Sequence, residues 1–157
     1  MVGMQVLSCF ADKLGLAHDF FTHAHQPNSP HYQSTLRMLH YFAQTADTQA
    51  GTWRAGAHTD YDCLTLLFQR PGQGGLQVLP CNIGDMLMRW SDDQLPSNFH
   101  RVKSPAPGEY QGARYSLAFF CQANEDVVVR SPSGKYPNIT AAEYLKQRIS
   151  ANFTGKY

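Results

Sequence analysis

The sequence predicts a mainly β fold: an antiparallel sandwich or barrel, in one domain, bracketed by helices. Three observations carry this. From Thr35 onward short apolar runs alternate with turn-forming residues, a pattern that favours an antiparallel architecture over repeated βαβ units. Both ends of the chain show helical spacing instead. The 157 residues, 43% hydrophobic and 16% charged, have a globular composition and enough length to bury a core.

At the N-terminus, Met4, Leu7, Phe10 or Ala11, and Leu14 recur at helical spacing, and Gly15 is the expected stop. A second short helix is expected from about Leu16 to His25, ending before "QPNSP". In "TLRMLHYF", Leu36, Met38, His40 and Phe42 share one face and Arg37, Leu39 and Tyr41 the other, which predicts a strand buried on both faces. "QTADTQAGTWRA" reads as a loop. "CLTLLF" is expected as the second strand, "GLQVLP" as the third, and "NIGDMLMRW" as the fourth, with Gly84-Asp85 as a turn or bulge in it. "FHRVK", "RYSLAFFC" and "DVVVR" are the fifth to seventh. In the tail, Thr140 and Glu143 form a capping box ahead of a helix striped by Leu145, Ile149 and Phe153.

The formal net charge is +1, from 13 basic and 12 acidic residues. No basic run marks a nucleic-acid or anionic-membrane partner. Cys9, Cys63, Cys81 and Cys121 lie far apart with no CxxC, which reads as free thiols in a reducing compartment. No apolar stretch is long enough to span a bilayer, and the N-terminus lacks the layout of a signal peptide. The expectation is a cytoplasmic protein.

The chemistry concentrates in "GAHTDYDCLTLLFQ". Residues i and i+2 of an extended backbone point to one face, so His58 and Asp60 can reach one small cation together. His100, in "SNFHRV", offers a third ligand. Two histidines and a carboxylate form the facial triad of non-haem Fe(II) oxygenases, which leaves coordination positions open. An isolated HxD is more often a surface loop or a satisfied histidine, so the pair gains its weight from a further feature. In "RYSLAFF", Arg114 and Ser116 share a face of an apolar strand. A guanidinium turned inward there is costly without an anion, and a fork plus a hydroxyl suits a carboxylate. The bland alternative is an edge strand with Arg114 in water. His18, His23, His25 and His31 read as polar residues of a helix end and loop rather than a second metal site. Asp92 and Asp93 read as a solvated turn, and Cys63 as a buried strand residue. Tyr61 and Asp62 stand beside the proposed ligands.

Together "GAHTDYDCLTLLFQ", "GGLQVLP", "NIGDMLMRWSDD", "SNFHRV" and "RYSLAFF", in this order over roughly Thr35 to Cys121, resemble the catalytic part of the 2-oxoglutarate/Fe(II)-dependent dioxygenases, in the branch that includes isopenicillin N synthase. The tail "YPNITAAEYLKQRISANF" is similar to fungal members of the thymine-hydroxylase type. The resemblance implies a double-stranded β-helix, a jelly-roll barrel flanked by helices. It implies a helical segment over 1–30, the jelly-roll core over 31–130 and a helical tail over 131–157. It assigns His58, Asp60 and His100 as Fe(II) ligands, and Arg114, Ser116 and Tyr41 as contacts of 2-oxoglutarate, although "YF" stands where the family usually has "YP". It makes Asp85 structural. The implied reaction consumes 2-oxoglutarate and O₂, releases succinate and CO₂, and oxidises a small organic molecule. In the isopenicillin N synthase subgroup the Arg/Ser pair holds substrate instead.

Two departures from the family pattern bear on this. Full-length relatives carry a longer N-terminal region, which shapes the substrate pocket. Here, too, "GLQVLPCNIGD" runs straight through where relatives have another strand, leaving 42 residues between His58 and His100. The shortfall is about 15 residues, one strand with its turns. It predicts an incomplete barrel. The alternatives to an active dioxygenase are therefore an inactive fragment and a non-enzymatic jelly-roll binding module.

Overall fold

A computed structural model gives the structure of the protein. It describes residues 2–44, 52–73, 75 and 81–154, with side chains described as far as Ala151. Helix α1 spans Val2–Lys13 and buries Gly3, Leu7, Ser8 and Ala11, close to the face expected from the spacing. Gly15 ends it with φ of +70°, a conformation that favours glycine. The expected second helix does not form. Only a single 3-10 turn, Thr22–Ala24, occurs there. Phe21 is drawn into the core instead and packs edge-on against Trp90 with ring centroids 5.4 Å apart.

Eight strands follow among the described residues: β1 (Thr35–Tyr41), β2 (Trp53–His58), β3 (Leu64–Gln69), β4 (Cys81–Ile83), β5 (His100–Lys103), β6 (Arg114–Cys121), β7 (Val128–Val129) and β8 (Ile139–Thr140). Among the described residues they form an antiparallel four-stranded sheet, ordered β1-β6-β3-β4, and two pairs, β2-β5 and β7-β8. The register of β6 against its neighbours, Tyr41↔Arg114 on one side and Gln69↔Ser116 on the other, sorts the side chains into two faces. The inner face carries Tyr41, Arg114, Ser116, Gln69 and Thr65. The outer face carries Leu36, Met38, Leu117, Phe68 and Leu64.

The core lies where α1, helix α2 (Asp85–Trp90) and helix α3 (Ala141–Thr154) meet one end of that outer face. It joins Leu7, Ala11, Phe21, Leu64, Met86, Leu87, Cys121, Val129 and Tyr144. The other end of the outer face is open. Leu36, Met38 and Phe68 are exposed, Met38 by 80%. Strand β1 is thus an edge strand largely in solvent, not a strand buried on both faces. Its apolar run looks the same in sequence whether or not a layer covers it.

Three further elements differ from expectation. The segment read as a loop contains β2, which pairs with β5 through Trp53↔Lys103, Ala55↔Val102 and His58↔His100 with two register shifts. Its Ala and Gly content hid it. The expected fourth strand stops at Ile83 and becomes α2, because Met86, Leu87 and Trp90 bury one helical face. In α3 the capping box forms as expected, with Glu143 N–H donating to Thr140 Oγ1 at 3.2 Å and Thr140 N–H to Glu143 Oε2 at 3.2 Å. The buried stripe, however, is Ala141 and Tyr144 followed by Arg148, while Ile149 is exposed. Phe153's side chain, and the expected strand "GLQVLP" apart from Gly75, lie outside the described residues.

Candidate metal and carboxylate site

His58 closes β2 and His100 opens β5, and the two face each other in register. Their rings are 4.3 Å apart, centroid to centroid. His58 Nδ1 lies 2.8 Å from Gly56 O, and His100 Nδ1 lies 3.0 Å from Asn98 O. A carbonyl only accepts, so each Nδ1 carries a proton, and Nε2 is the nitrogen left to present a lone pair in the neutral imidazole. Both Nε2 atoms face Asp60 Oδ1, at 3.9 Å from His58 and 3.8 Å from His100. Among the described residues these three form the one cluster of His, Cys, Asp or Glu ligand atoms, all within 4.8 Å of one another. The histidines of the N-terminal segment do not converge. His18 pairs with Asp12, His23 with Asp19, and His25 is buried against Phe21 O.

Asp60 is held from behind. Thr65 Oγ1 donates to Asp60 Oδ2 at 2.6 Å, which leaves Oδ1 facing the imidazoles. The same hydroxyl lies 3.0 Å from Asp62 Oδ2. Thr65 has one hydrogen for two carboxylates, so the contact is satisfied when Asp62 carries a proton of its own. Burial first, and the neighbouring charge of Asp60 next, push the Asp62 carboxyl well above the usual carboxylate range.

The loop between β2 and β3 is fixed by the start of α2. Gly84, Asp85 and Met86 donate their N–H groups to the carbonyls of Cys63, Asp60 and Asp62 at 3.2, 2.8 and 3.1 Å. Gly84 is required by this approach: a Cβ there would sit 2.3 Å from both Asp62 O and Asp62 Oδ1. The Gly-Asp pair is therefore a strand-to-helix junction rather than a bulge. Asp92 and Asp93 lie in a half-exposed turn, as expected, and do more than face solvent. They hold the loop of Ser131, Ser133, Lys135 and Tyr136 through their carboxylates.

Arg114 is 1% exposed on the inner face of the central strand. Its Nη2 donates to Gln69 Oε1 at 2.8 Å, its Nη1 lies 3.5 Å from Ser116 Oγ, and its guanidinium lies over the Tyr41 ring, 4.9 Å from the centroid. Arg114 Nε is buried without a hydrogen-bond partner, and no carboxylate pairs with Arg114 among the described residues. The side chains singled out in sequence thus form two groups, His58, Asp60 and His100 in one and Tyr41, Arg114 and Ser116 in the other. Thr65 and Gln69, on one face of β3, touch one group each. The sequence reading missed both, although two polar residues at i and i+4 on an apolar strand were the available signal. Gln69 also lines an open cavity of about 590 Å³ with Arg70, Pro105 and Tyr110, so it stands between the guanidinium and solvent.

This geometry agrees with what the chain is similar to. The family model described as "2OG-Fe(II) oxygenase superfamily" matches residues 32–123. The proline hydroxylase buaE of Petromyces alliaceus is 34% identical, over 93% of this chain and 54% of its own length. The 2-oxoglutarate-Fe(II) type oxidoreductase hxnY of Emericella nidulans is 34% identical, over 90% of this chain and 45% of its own. The alignment with buaE runs over 178 positions, more than the 157 residues of this chain, so that relative carries residues with no counterpart here. Among solved structures, a full-length Neurospora crassa protein in complex with alpha-KG superposes with a TM-score of 0.80 at 31% identity, covering 96% of this chain and 53% of that one. The chain spans about half the length of the relatives it matches.

Proposed function

The chain belongs to the 2OG-Fe(II) oxygenase superfamily and has its jelly-roll fold, and from that premise we propose that it is an Fe(II)- and 2-oxoglutarate-dependent dioxygenase acting on a small organic molecule. The observation that carries the reading is the convergence of two Nε2 atoms on a single carboxylate oxygen. The residues fit a divalent cation. The donor set is two imidazoles and one carboxylate, and their ligand atoms all lie within 4.8 Å of one another, so they close in by an ångström or so to reach the ~3 Å that separates neighbouring ligands at bonds of about 2.1 Å. His58, Asp60 and His100 would hold Fe(II), with Gly56 O and Asn98 O fixing the histidine tautomers and Thr65 keeping the carboxylate monodentate. When bound, the iron supplies O₂ activation coupled to oxidative decarboxylation of 2-oxoglutarate to succinate and CO₂.

The protein's part is binding and orientation. Arg114 offers a buried, incompletely partnered fork to the distal carboxylate of the cosubstrate. Ser116 adds a hydroxyl on the same face, and the Tyr41 ring packs over the guanidinium. Gln69 Oε1 holds the fork until the carboxylate takes its place. Relatives support the substrate class: one is a proline hydroxylase, and the Neurospora crassa protein has been seen with thymine and with 5-formyluracil. Four free cysteines support a reducing, cytoplasmic setting.

Anaerobic titration with Fe(II) and then 2-oxoglutarate tests the reading, with a metal-to-ligand charge-transfer band expected in the visible. A folded protein with no band would replace it with the binding-module or inactive-fragment reading. The open side of the fold is what favours that second reading: among the described residues, the sheet bearing both histidines has two strands.

A further inference from the structure

We propose that the Arg148–Asp85 ion pair is a positioning device, through which docking of the C-terminal helix α3 sets the affinity of the metal-ligand loop for its cation. The inference rests on the reading of His58, Asp60 and His100 as the ligands.

Asp85 is 3% exposed and joins three separate segments. Its Oδ2 accepts from Thr59 Oγ1 at 3.0 Å and from Arg148 Nη2 at 2.6 Å, and its Oδ1 accepts from Ser97 Oγ at 2.6 Å. Its own N–H donates to Asp60 O at 2.8 Å. Thr59 immediately precedes Asp60, and Ser97 immediately precedes Asn98, whose carbonyl orients His100. Arg148 reaches the loop a second way, lying over the Tyr61 ring at 5.3 Å. Arg148 therefore touches both neighbours of Asp60, one directly and one through Asp85. Among the described residues it is the one cation paired with the buried Asp85 carboxylate. Without it, that carboxylate keeps two hydroxyl contacts alone while 3% exposed, and the hub must shift to regain solvent. Because the hub holds Thr59, Ser97 and the Asp60 backbone, the shift passes to the ligand atoms.

Charge and positioning predict opposite signs. Removing a cation beside a divalent-metal site, by charge alone, tightens metal binding. Removing a positioning contact weakens it, by about 10–100-fold for groups of this kind. The test is Co(II) titration of the full chain, followed by visible absorption, with thermal unfolding by circular dichroism alongside. Arg148→Gln is expected to bind Co(II) at least tenfold more weakly and still unfold cooperatively, and Arg148→Lys is expected to recover much of the loss. Thr59→Val, which cuts the same link without altering charge, is expected to weaken binding too, and it decides the matter if Arg148→Gln does not fold. Parental or tighter Co(II) binding in a folded Arg148→Gln, or in Thr59→Val when that variant decides, overturns the inference. The ligand reading fails separately: it falls if the parent binds no Co(II), or if His58→Ala binds it as tightly as the parent.

Discussion

Replacing Arg114 with methionine separates a functional arginine from a structural one, because the two roles predict opposite changes in stability. The guanidinium has five N–H donors. Here it meets two neutral oxygens, one of them at 3.5 Å, and an aromatic face, while its Nε is buried and unpartnered. Burying an ion costs several kcal/mol, and apolar replacement of buried charges has stabilised proteins by about 1–4 kcal/mol. Gln69 is exposed and turns to water once the fork is gone. Arg114→Met should therefore leave the free protein as stable as the parent or more so. A gain of about 1–3 kcal/mol appears as roughly 2–12 °C in Tm for a chain of this size.

The same change should remove the grip on 2-oxoglutarate. Two charge-assisted hydrogen bonds at about 1.5–3 kcal/mol each give a loss of about 3–6 kcal/mol. That is about two to four powers of ten in Kd. The assay is thermal unfolding with and without 2-oxoglutarate, together with the anaerobic Fe(II)/2-oxoglutarate titration. In the parent, ligand at a hundred times its Kd adds about 2.7 kcal/mol; in the variant it should add at most about 0.4 kcal/mol at that concentration. A variant that melts several degrees lower yet binds 2-oxoglutarate normally would show that the arginine serves the fold. A stable variant with undiminished affinity would move Arg114 to substrate binding, as in isopenicillin N synthase.

His58→Ala and Asp60→Ala should each lower Fe(II) affinity at least a hundredfold, read by anaerobic titration, with the circular dichroism spectrum unchanged. Parental affinity in both would remove them from the site. Gly84→Ala puts a methyl group 2.3 Å from Asp62 O, a backbone atom that cannot swing aside. It should cost about 1–3 kcal/mol in urea unfolding, and an undisturbed midpoint would refute the close approach. His25 is buried with its Nδ1 on Phe21 O, and desolvation holds its pKa below the ordinary 6.5. Between the folded and the ordinary pKa the unfolded chain binds the extra proton, so stability falls as pH drops below about 6.5, at up to ~1.4 kcal/mol per unit. His25→Gln should flatten that acid limb, and an unchanged slope in urea unfolding between pH 6.5 and 5 would refute it.

What was legible in the sequence is what is local. Strand β6 announces itself by alternation, the α3 start by a capping box, and the candidate ligand pair His58 and Asp60 by a two-residue spacing beside an apolar strand. What was not legible depends on a distant neighbour. "GDMLMRW" has the apolar content of a strand or a helix, and periodicity cannot choose for so short a run. The choice is made by three carbonyls of the 60–63 loop, which take the first amides of α2. Strand β2 exists because β5 pairs with it, and β1 is exposed because no described element packs on Met38. Asp85 reads as structural in the sequence, and it does hold the structure together. Its partner Arg148 sits in a helix whose expected stripe omits it, so no sequence pattern points to the pair.

These long-range contacts explain how a candidate metal site can persist in a barrel with one sparse side. A jelly roll commonly fixes its ligands by closing two sheets on each other. Here the sheet that bears both histidines has two described strands, and its ladder is interrupted twice. The ligand loop instead takes its shape from α2, through three backbone hydrogen bonds and the approach that Gly84 allows. Arg114 takes its position from β6, which is flanked by β1 and β3 over most of its length. Gly84→Ala should therefore loosen Co(II) binding as well as the fold, whereas Trp53→Ala, at the far end of the β2-β5 pair, should leave the metal affinity within about threefold. Equal losses in the two variants would mean that the ladder, not α2, holds the ligands in place.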